Sequence, residues 1–390
     1  MSGYIGDSTE NRTMRILTGI GMVLVVAGHL KLNCFDIWGL FPYYSFHVLI
    51  FVFVAGYFYD EASDSSPLKF IIHKAKRLLI PYYALNLIYG VISTILNING
   101  IYIGSKISIY NLTIAPILGG HQFMYNSPAW FMVALFIVET MYVLSRTFLK
   151  RVVGLKNVAI DIVTTVSFLI MGIVVVYLAM QGKAWGIYRD FGRWLIMLPA
   201  IVFGRAFRVW IQPSVRLRVS LSKRYILAIV ALILFLVVQF GVVKLTGGRI
   251  NYSVVWCGPF ATGPVMPFIT MVTGIGFWYI VASLLNALPI RIPADWLRIV
   301  GLNSMPIMIH HLMVLFIINT ICMIVCHGNV DTLSASGGFD MTTYTTDITY
   351  QYLYAGEKLT GVINLLMCIS IPCAIHMILV KVSKKIGISK

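Results

Sequence analysis

Charge is scarce in this sequence. Only 11% of its 390 residues are charged, and acidic residues are the scarcest, 14 Asp and Glu against 30 Lys and Arg. A soluble chain carries about a quarter charged residues. With 59% hydrophobic residues and a mean hydropathy of +0.85, the composition excludes an ordinary soluble domain and reads as a polytopic membrane protein. Cysteine is also sparse. The six cysteines form no CxxC pair, which excludes a thiol redox motif and zinc-ribbon spacing. Cys34 and Cys257 are the two whose expected outer-side positions leave a disulfide open. No HExxH, P-loop, strand-linked GxGxxG or GxSxG occurs, so zincin, nucleotide-cradling and nucleophile-elbow chemistry are excluded. A small-residue cleavage site is missing after the first apolar stretch, which is therefore expected to be a membrane span rather than a signal peptide.

Long apolar runs are what the chain has instead. At about 20 residues per crossing, about ten spans are expected: 16–34, 42–59, 78–97, 129–148, 158–180, 190–210, 225–245, 264–287, 301–326 and 359–381. The reading is an all-α transmembrane bundle, one integral-membrane domain over residues 1–390 with short cytoplasmic tails at 1–15 and 382–390. An even span count puts both termini on one side. With that topology, 22 of the 30 basic residues fall on the side of the termini and 8 on the other, which makes the termini cytoplasmic. This asymmetry accounts for the net charge of +16 without a nucleic-acid partner. Membrane lipids are partners by composition. Lipid-facing and partner-facing apolar surfaces read alike, so no oligomeric state is legible.

Ionisable groups at membrane depth are costly and serve as functional candidates. The first two spans form a hairpin with one histidine in each arm, His29 and His47, at similar expected depth. Histidine titrates near neutral pH and suits proton transfer. Glu139 is the carboxylate expected well inside the fourth span, in need of a partner. The loop DEASDSSPLKFIIHKAKRLLIPYY is expected to form an interfacial helix from Pro67 that carries Lys69, His73, Lys74, Lys76 and Arg77, with Pro81 opening or kinking the third span. Such a helix suits anionic lipid or phosphate equally. Arg205 and Arg208 open the most basic cytoplasmic loop. Arg189 and Arg193 are arginines on the outer side, where topology does not call for them, and suit an anionic or sugar ligand. Trp130 suits an interfacial anchor or a sugar-stacking face. In the ninth span His310 and His311 are adjacent, about 100° apart on a helix, so both cannot face one site. The outer loop 327–358 has no apolar period and reads as a lid or an unstructured segment. Histidines in a bundle, basic cytoplasmic loops and polar outer loops suit transfer of a group from a cytoplasmic anionic donor to an outer acceptor. They also suit a non-catalytic transporter or flippase of a glycan intermediate or small solute.

Five stretches carry a resemblance. They are GIGMVLVVAGH (19–29), SFHVLIFVFVAGYFY (45–59), KRLLIPYY (76–83), PAWFMVALF (128–136) and IVGLNSMPIMIHH (299–311). In this order the chain resembles membrane acyltransferases of the acyltransferase-3 group, above all its fucose 4-O-acetylase-like and polysaccharide O-acetyltransferase members. The resemblance implies a multi-pass protein of the cell membrane that moves an acetyl or similar short acyl group from acyl-CoA to a hydroxyl of a glycan or lipid-linked sugar, with acetyl-CoA as donor and no metal. It implies His29 as catalytic base, with His47 as the second-span histidine; Glu139, read from the residues alone, suits orienting an imidazole. The donor phosphates fall to Arg77, Lys76 and Arg15, with Arg205 and Arg208 behind them. Trp130, Arg193 and His310 are the acceptor candidates. One departure stands out: eleven residues before His29 the group usually has a basic residue, and here Thr18 stands there. On an ideal helix Arg15 and Thr18 each fall within about 40° of the face of His29, and Arg15 lies about 21 Å from His29.

Overall fold

The computed structural model describes residues 9–32, 35–213, 221–261, 263–326, 339–352 and 358–385. Cys34, the chain ends, residues 214–220 of the basic loop and residues 327–338 and 353–357 of the last outer loop lie outside them. The helices are α1 (Thr9–His29), α2 (His47–Tyr57), α3 (Pro67–Ile98), α4 (Ile109–Thr113), α5 (Trp130–Arg151), α6 (Asn157–Met180), α7 (Gly186–Ala206), α8 (Leu221–Leu245), α9 (Met266–Ala287), α10 (Ile292–Leu302), α11 (Ser304–Cys326), α12 (Met341–Thr346) and α13 (Lys358–Lys385). The described residues contain no strand, only one isolated bridge between Ser253 and Gly258. The fold is an all-α membrane bundle.

Among the described residues, eight helices are long and apolar enough to cross a membrane. Their burial runs opposite to that of a soluble protein. The span at Tyr225–Leu245 has a hydropathy of 3.1 and is 11% buried, whereas Met124–Arg151 has 1.6 and is 67% buried. Lipid is the solvent for the most apolar faces, so the less apolar helices take the interior.

The two arms of the expected first hairpin are not among the eight. α1 has 21 residues, but Arg12 and Arg15 dilute its apolar run. The stretch 42–59 is a 3-10 turn at Tyr43–Ser45 followed by the 11-residue α2. At 1.5 Å per residue α2 spans about 16 Å, short of the ~30 Å hydrocarbon layer, so residues 42–59 do not form the single continuous helix expected there. A second correction concerns the interfacial helix. α3 runs unbroken for 32 residues with Pro81 inside it, so 67–77 and the third span are one rod. A third concerns the ninth span, which is split at Asn303. Pro306 has no N–H for the Leu302 carbonyl, and Asn303 instead folds its Nδ2 onto the Ile299 carbonyl at 2.8 Å.

Chain contacts divide the protein into two compact units. The first takes Met1–Gly21, Cys34–Leu79 and Met132–Arg298. In it α2 and α6 pack along α7. α2 and α7 touch backbone to backbone: a Cβ on Gly56 would lie 1.9 Å from the Ile201 carbonyl oxygen, and one on Gly204 would lie 1.9 Å from that of Phe53. Small residues permit this approach, and in lipid such close packing replaces the hydrophobic effect as the force holding helices together. α8 and α9 are joined by Gln239, which donates to Thr270 Oγ1 at 3.4 Å and accepts from Thr273 Oγ1 at 2.8 Å.

The same unit holds a buried ionic cluster. Arg146 is fully buried; its Nε lies 3.1 Å from Asp64 Oδ1, and its Nη1 bonds Asp161. Tyr59 donates to Asp64 at 2.6 Å, while Arg205 pairs with Glu61 and lies 3.6 Å from Asp161. Buried charges are tolerated only when paired and hydrogen-bonded in this way.

The second unit takes Met22–Asn33, Ile80–Phe131 and Ile299–Lys390. α11 is its centre, packed on α13 and on the 3-10 turn Met124–Ala129 that leads into α5. α1 ends in this unit by a Schellman arrangement. Lys31 adopts φ 55°, its N–H bonds the Gly28 carbonyl at 3.1 Å, and the Leu32 N–H reaches back to Ala27 at 2.9 Å. That stop leaves His29 in the last helical turn.

Candidate active site

In the second unit His29 meets His311, and the backbone assigns the protons of both rings. His311 Nδ1 lies 2.8 Å from the Ile307 carbonyl, one turn back on α11. A carbonyl only accepts, so Nδ1 carries the proton and Nε2 keeps its lone pair. That Nε2 lies 3.2 Å from His29 Nδ1. His29 Nδ1 in turn lies 2.9 Å from the Val25 carbonyl, so it also carries a proton and is shared between Val25 and His311. His29 Nε2 is therefore left as the unprotonated nitrogen, and among the described residues it has no hydrogen-bond partner. The rings sit 5.0 Å apart at 51°. An imidazole held in one tautomer with a free Nε2 is the arrangement a general base requires. The partner that orients it is a second imidazole.

His311 is 1% exposed and half-buried His310 points elsewhere, its Nδ1 2.7 Å from the Tyr89 hydroxyl. Of the adjacent pair, then, the sequence reading named the one that does not meet His29. Further along, His376 Nδ1 donates to Asn303 Oδ1 at 2.9 Å. The described part of the segment between α11 and α13 is anchored beside the end of α1. Gln351 donates to the Leu30 carbonyl at 2.9 Å and accepts from Asn364 at 3.3 Å, and Asn319 donates to the Tyr350 carbonyl at 2.6 Å. The aromatic rings of Phe316 and Tyr344 stack at 5.4 Å, with Phe339 edge-on to Tyr344 at 5.1 Å. Trp130 begins α5 and is 5% exposed, packed against His121 and Phe131. His121 Nδ1 lies 2.7 Å from Ser127 Oγ. Gly120, at φ +74°, leaves room for Trp130, whose Cβ would be 2.5 Å from a Cβ placed there.

The remaining candidates lie in the first unit. His47 is buried and its Nδ1 donates to the Tyr43 carbonyl of the preceding turn. Glu139 is 3% exposed and pairs with Lys74 of α3, and its Oε2 has no hydrogen-bond partner among the described residues. Arg15 lies over the Phe58 ring at 5.7 Å. Thr18 turns its hydroxyl to the Met14 carbonyl at 2.8 Å, within its own helix. Lys76 and Arg77 stand exposed on α3 and make no ion pair or hydrogen bond among the described residues. Arg208 donates to the Tyr57 and Tyr59 carbonyls at 3.1 and 3.4 Å. Arg193 lies 3.1 Å from Asp190, which also lies 3.7 Å from Arg189. Cys257, in the loop between α8 and α9, is a free thiol, and burial pushes its pKa up to about 12.

No curated protein and no solved structure matches this chain. Residues 13–325 match a family described as an acyltransferase domain. That stretch covers most of the chain, including α1 with His29 and α11 with His310 and His311. The protein belongs to the acyltransferase-3 family of membrane acyltransferases.

Proposed function

We propose that this protein is a membrane O-acyltransferase. It moves an acetyl or similar short acyl group from cytoplasmic acyl-CoA to a hydroxyl of an extracytoplasmic or lipid-linked glycan, at the cell membrane. The observation that carries this reading is the free Nε2 of His29, with its tautomer fixed by the Val25 carbonyl and His311. His29 Nε2 takes the proton from the acceptor hydroxyl as its oxygen attacks the thioester carbonyl carbon. The carbon–sulfur bond breaks, and the departing thiolate receives that proton from Nε2. Protons and electron pairs balance, and no metal takes part. His311 Nε2 accepts from His29 Nδ1–H and stabilises the imidazolium while it exists.

CoA phosphates call for cations with access to water. Exposed Lys76 and Arg77 serve here, with Arg15, Arg208 and Arg205 behind them, since the guanidinium fork suits phosphate. Glu139 acts by holding Lys74. His47 polarises the acyl carbonyl or orients the acceptor. Trp130, Arg193 and His310 serve the sugar. Purified protein in lipid, given acetyl-CoA and candidate glycan acceptors, is expected to release free CoA together with acylated product. His29→Ala is expected to lower that rate by about 100- to 10,000-fold, the range for a positioned general base. Full transfer by the variant removes His29 from the mechanism.

A further inference from the structure

A cavity of about 550 Å³ in the first unit is lined by none of the site residues assigned above. It is lined by Ser65, Ser66, Leu68, Lys69, Ile72 and Arg151, along with the proline that begins α3. Its volume falls in the ~300–1,000 Å³ range of small-molecule sites. Two cationic residues and two serines line it, and no acidic residue does. The neighbouring acids are committed elsewhere: Asp64 to Arg146 and Tyr59, Glu61 to Arg205 and Asn157. Arg151 is anchored by one nitrogen, Nη2, on the Ser65 carbonyl at 2.6 Å. Lys69 has no ion-pair or hydrogen-bond partner among the described residues. The cations thus face the cavity without counter-charge. Beside them Leu68 and Ile72 are 69% and 46% exposed, an apolar shelf next to a cationic pocket.

We infer that this cavity binds a phosphate ester, with Lys69 and Arg151 on its oxygens and the serine hydroxyls donating, and that the apolar shelf favours the headgroup of an anionic phospholipid over a soluble phosphate. Cations and hydroxyls satisfy the phosphate oxygens; Leu68 and Ile72 would lie along the start of an acyl chain. The inference stands apart from acyl transfer and does not rest on it.

The test titrates the purified full-length protein in neutral detergent with phosphatidic acid, with phosphatidylcholine and, separately, with inorganic phosphate, reading saturable shifts in thermal unfolding. The variants are Lys69→Gln, Arg151→Gln and, as a control for charge alone, Lys381→Gln. Phosphatidic acid is expected to bind the wild type, with affinity about tenfold or more weaker in each of the first two variants and unchanged in the control. Inorganic phosphate binding as tightly, and losing as much in the same variants, would keep the phosphate site but make its source soluble. Lys69→Gln is the cleaner variant because Lys69 holds no other group. Unchanged binding in it, an equal loss in Lys381→Gln, or equal binding of phosphatidylcholine would each overturn the inference.

Discussion

If His311 works only through His29, the two should behave as one unit in kinetics. The proposed role is a single hydrogen bond, His29 Nδ1–H to His311 Nε2 at 3.2 Å, which gains strength when His29 becomes cationic. A hydrogen bond to a charged group contributes about 1.5–3 kcal/mol, or about 10- to 150-fold in rate. His311→Leu removes the acceptor and is expected to lower kcat by that factor, with the KM for acyl-CoA nearly unchanged. His311→Gln keeps a side-chain acceptor and should recover part of the loss. The decisive measurement is the double variant. With His29→Ala in place there is no imidazolium to stabilise, so adding His311→Leu should slow residual transfer no further. Acyl transfer by protein in lipid, compared across the four forms at saturating donor, gives that coupling. Additive losses would mean that His311 contributes to packing alone, and the argument from tautomers would fail.

Three further outcomes follow from the packing. Gly204→Ala places a Cβ 1.9 Å from the Phe53 carbonyl oxygen, where a close C···O contact is about 3.3 Å; α2 and α7 must part by about 1.4 Å, at about 1–3 kcal/mol, read as a lower unfolding midpoint in detergent, and an unchanged midpoint would refute the close approach. Asp64→Asn strands fully buried Arg146 beside Asp161 alone and should cost about 3–5 kcal/mol, seen as lost folded yield; a change under about 1 kcal/mol would show the cluster to be hydrated. Burial raises the Cys257 thiol to about 12, so the folded protein keeps it neutral at ordinary pH and its maleimide labelling should be slow until unfolding. The sign for stability agrees: the neutral thiol favours the fold below the free-thiol value of 9, and that contribution fades as pH rises from there toward 12. Fast labelling at neutral pH would contradict the buried placement.

The bundle was legible because lipid imposes one rule on every residue, and long apolar runs obey it. The boundaries of spans from 130 to 287 read off hydropathy agree with the helices to within a few residues. The rule fails where protein replaces lipid. Residues 42–59 are apolar enough for a span, yet α2 covers only His47–Tyr57 because Phe41, Phe46 and Tyr43 are buried in protein. Hydropathy cannot separate these two reasons for being apolar. Pro67 was legible as a helix start, but Pro81 was not legible as an interior residue. A proline costs a helix one N–H bond wherever it falls, and only the packed structure decides whether the helix continues past it.

The site shows the same limit more sharply. His29 stood out in the sequence as an ionisable group at membrane depth, and its expected role as base came from the resemblance. Choosing His311 over His310 required the facing of α11. Most of α11 from Ile307 to Asn319 is buried, Met308, Ile309, Leu312 and Val314 as well as His311 and Leu315. In a soluble helix polar residues on the opposite face would have outlined the buried side. Here the exposed positions include Ile317, Ile321 and Ile324, as apolar as the buried ones, and the facing vanishes into a uniformly apolar background. Thr18 marks the converse case. A threonine in place of a basic residue reads as a missing cation, and its hydroxyl simply closes on the Met14 carbonyl. Whether a cation stands in for it depends on what surrounds α1, and three arginines or lysines absent from the motif, Arg12, Arg15 and Lys74, take their positions from Asp295, Phe58 and Glu139. Partners so distant in sequence leave no local signal, so the charges of a membrane site are found by their counter-groups and not by their spacing.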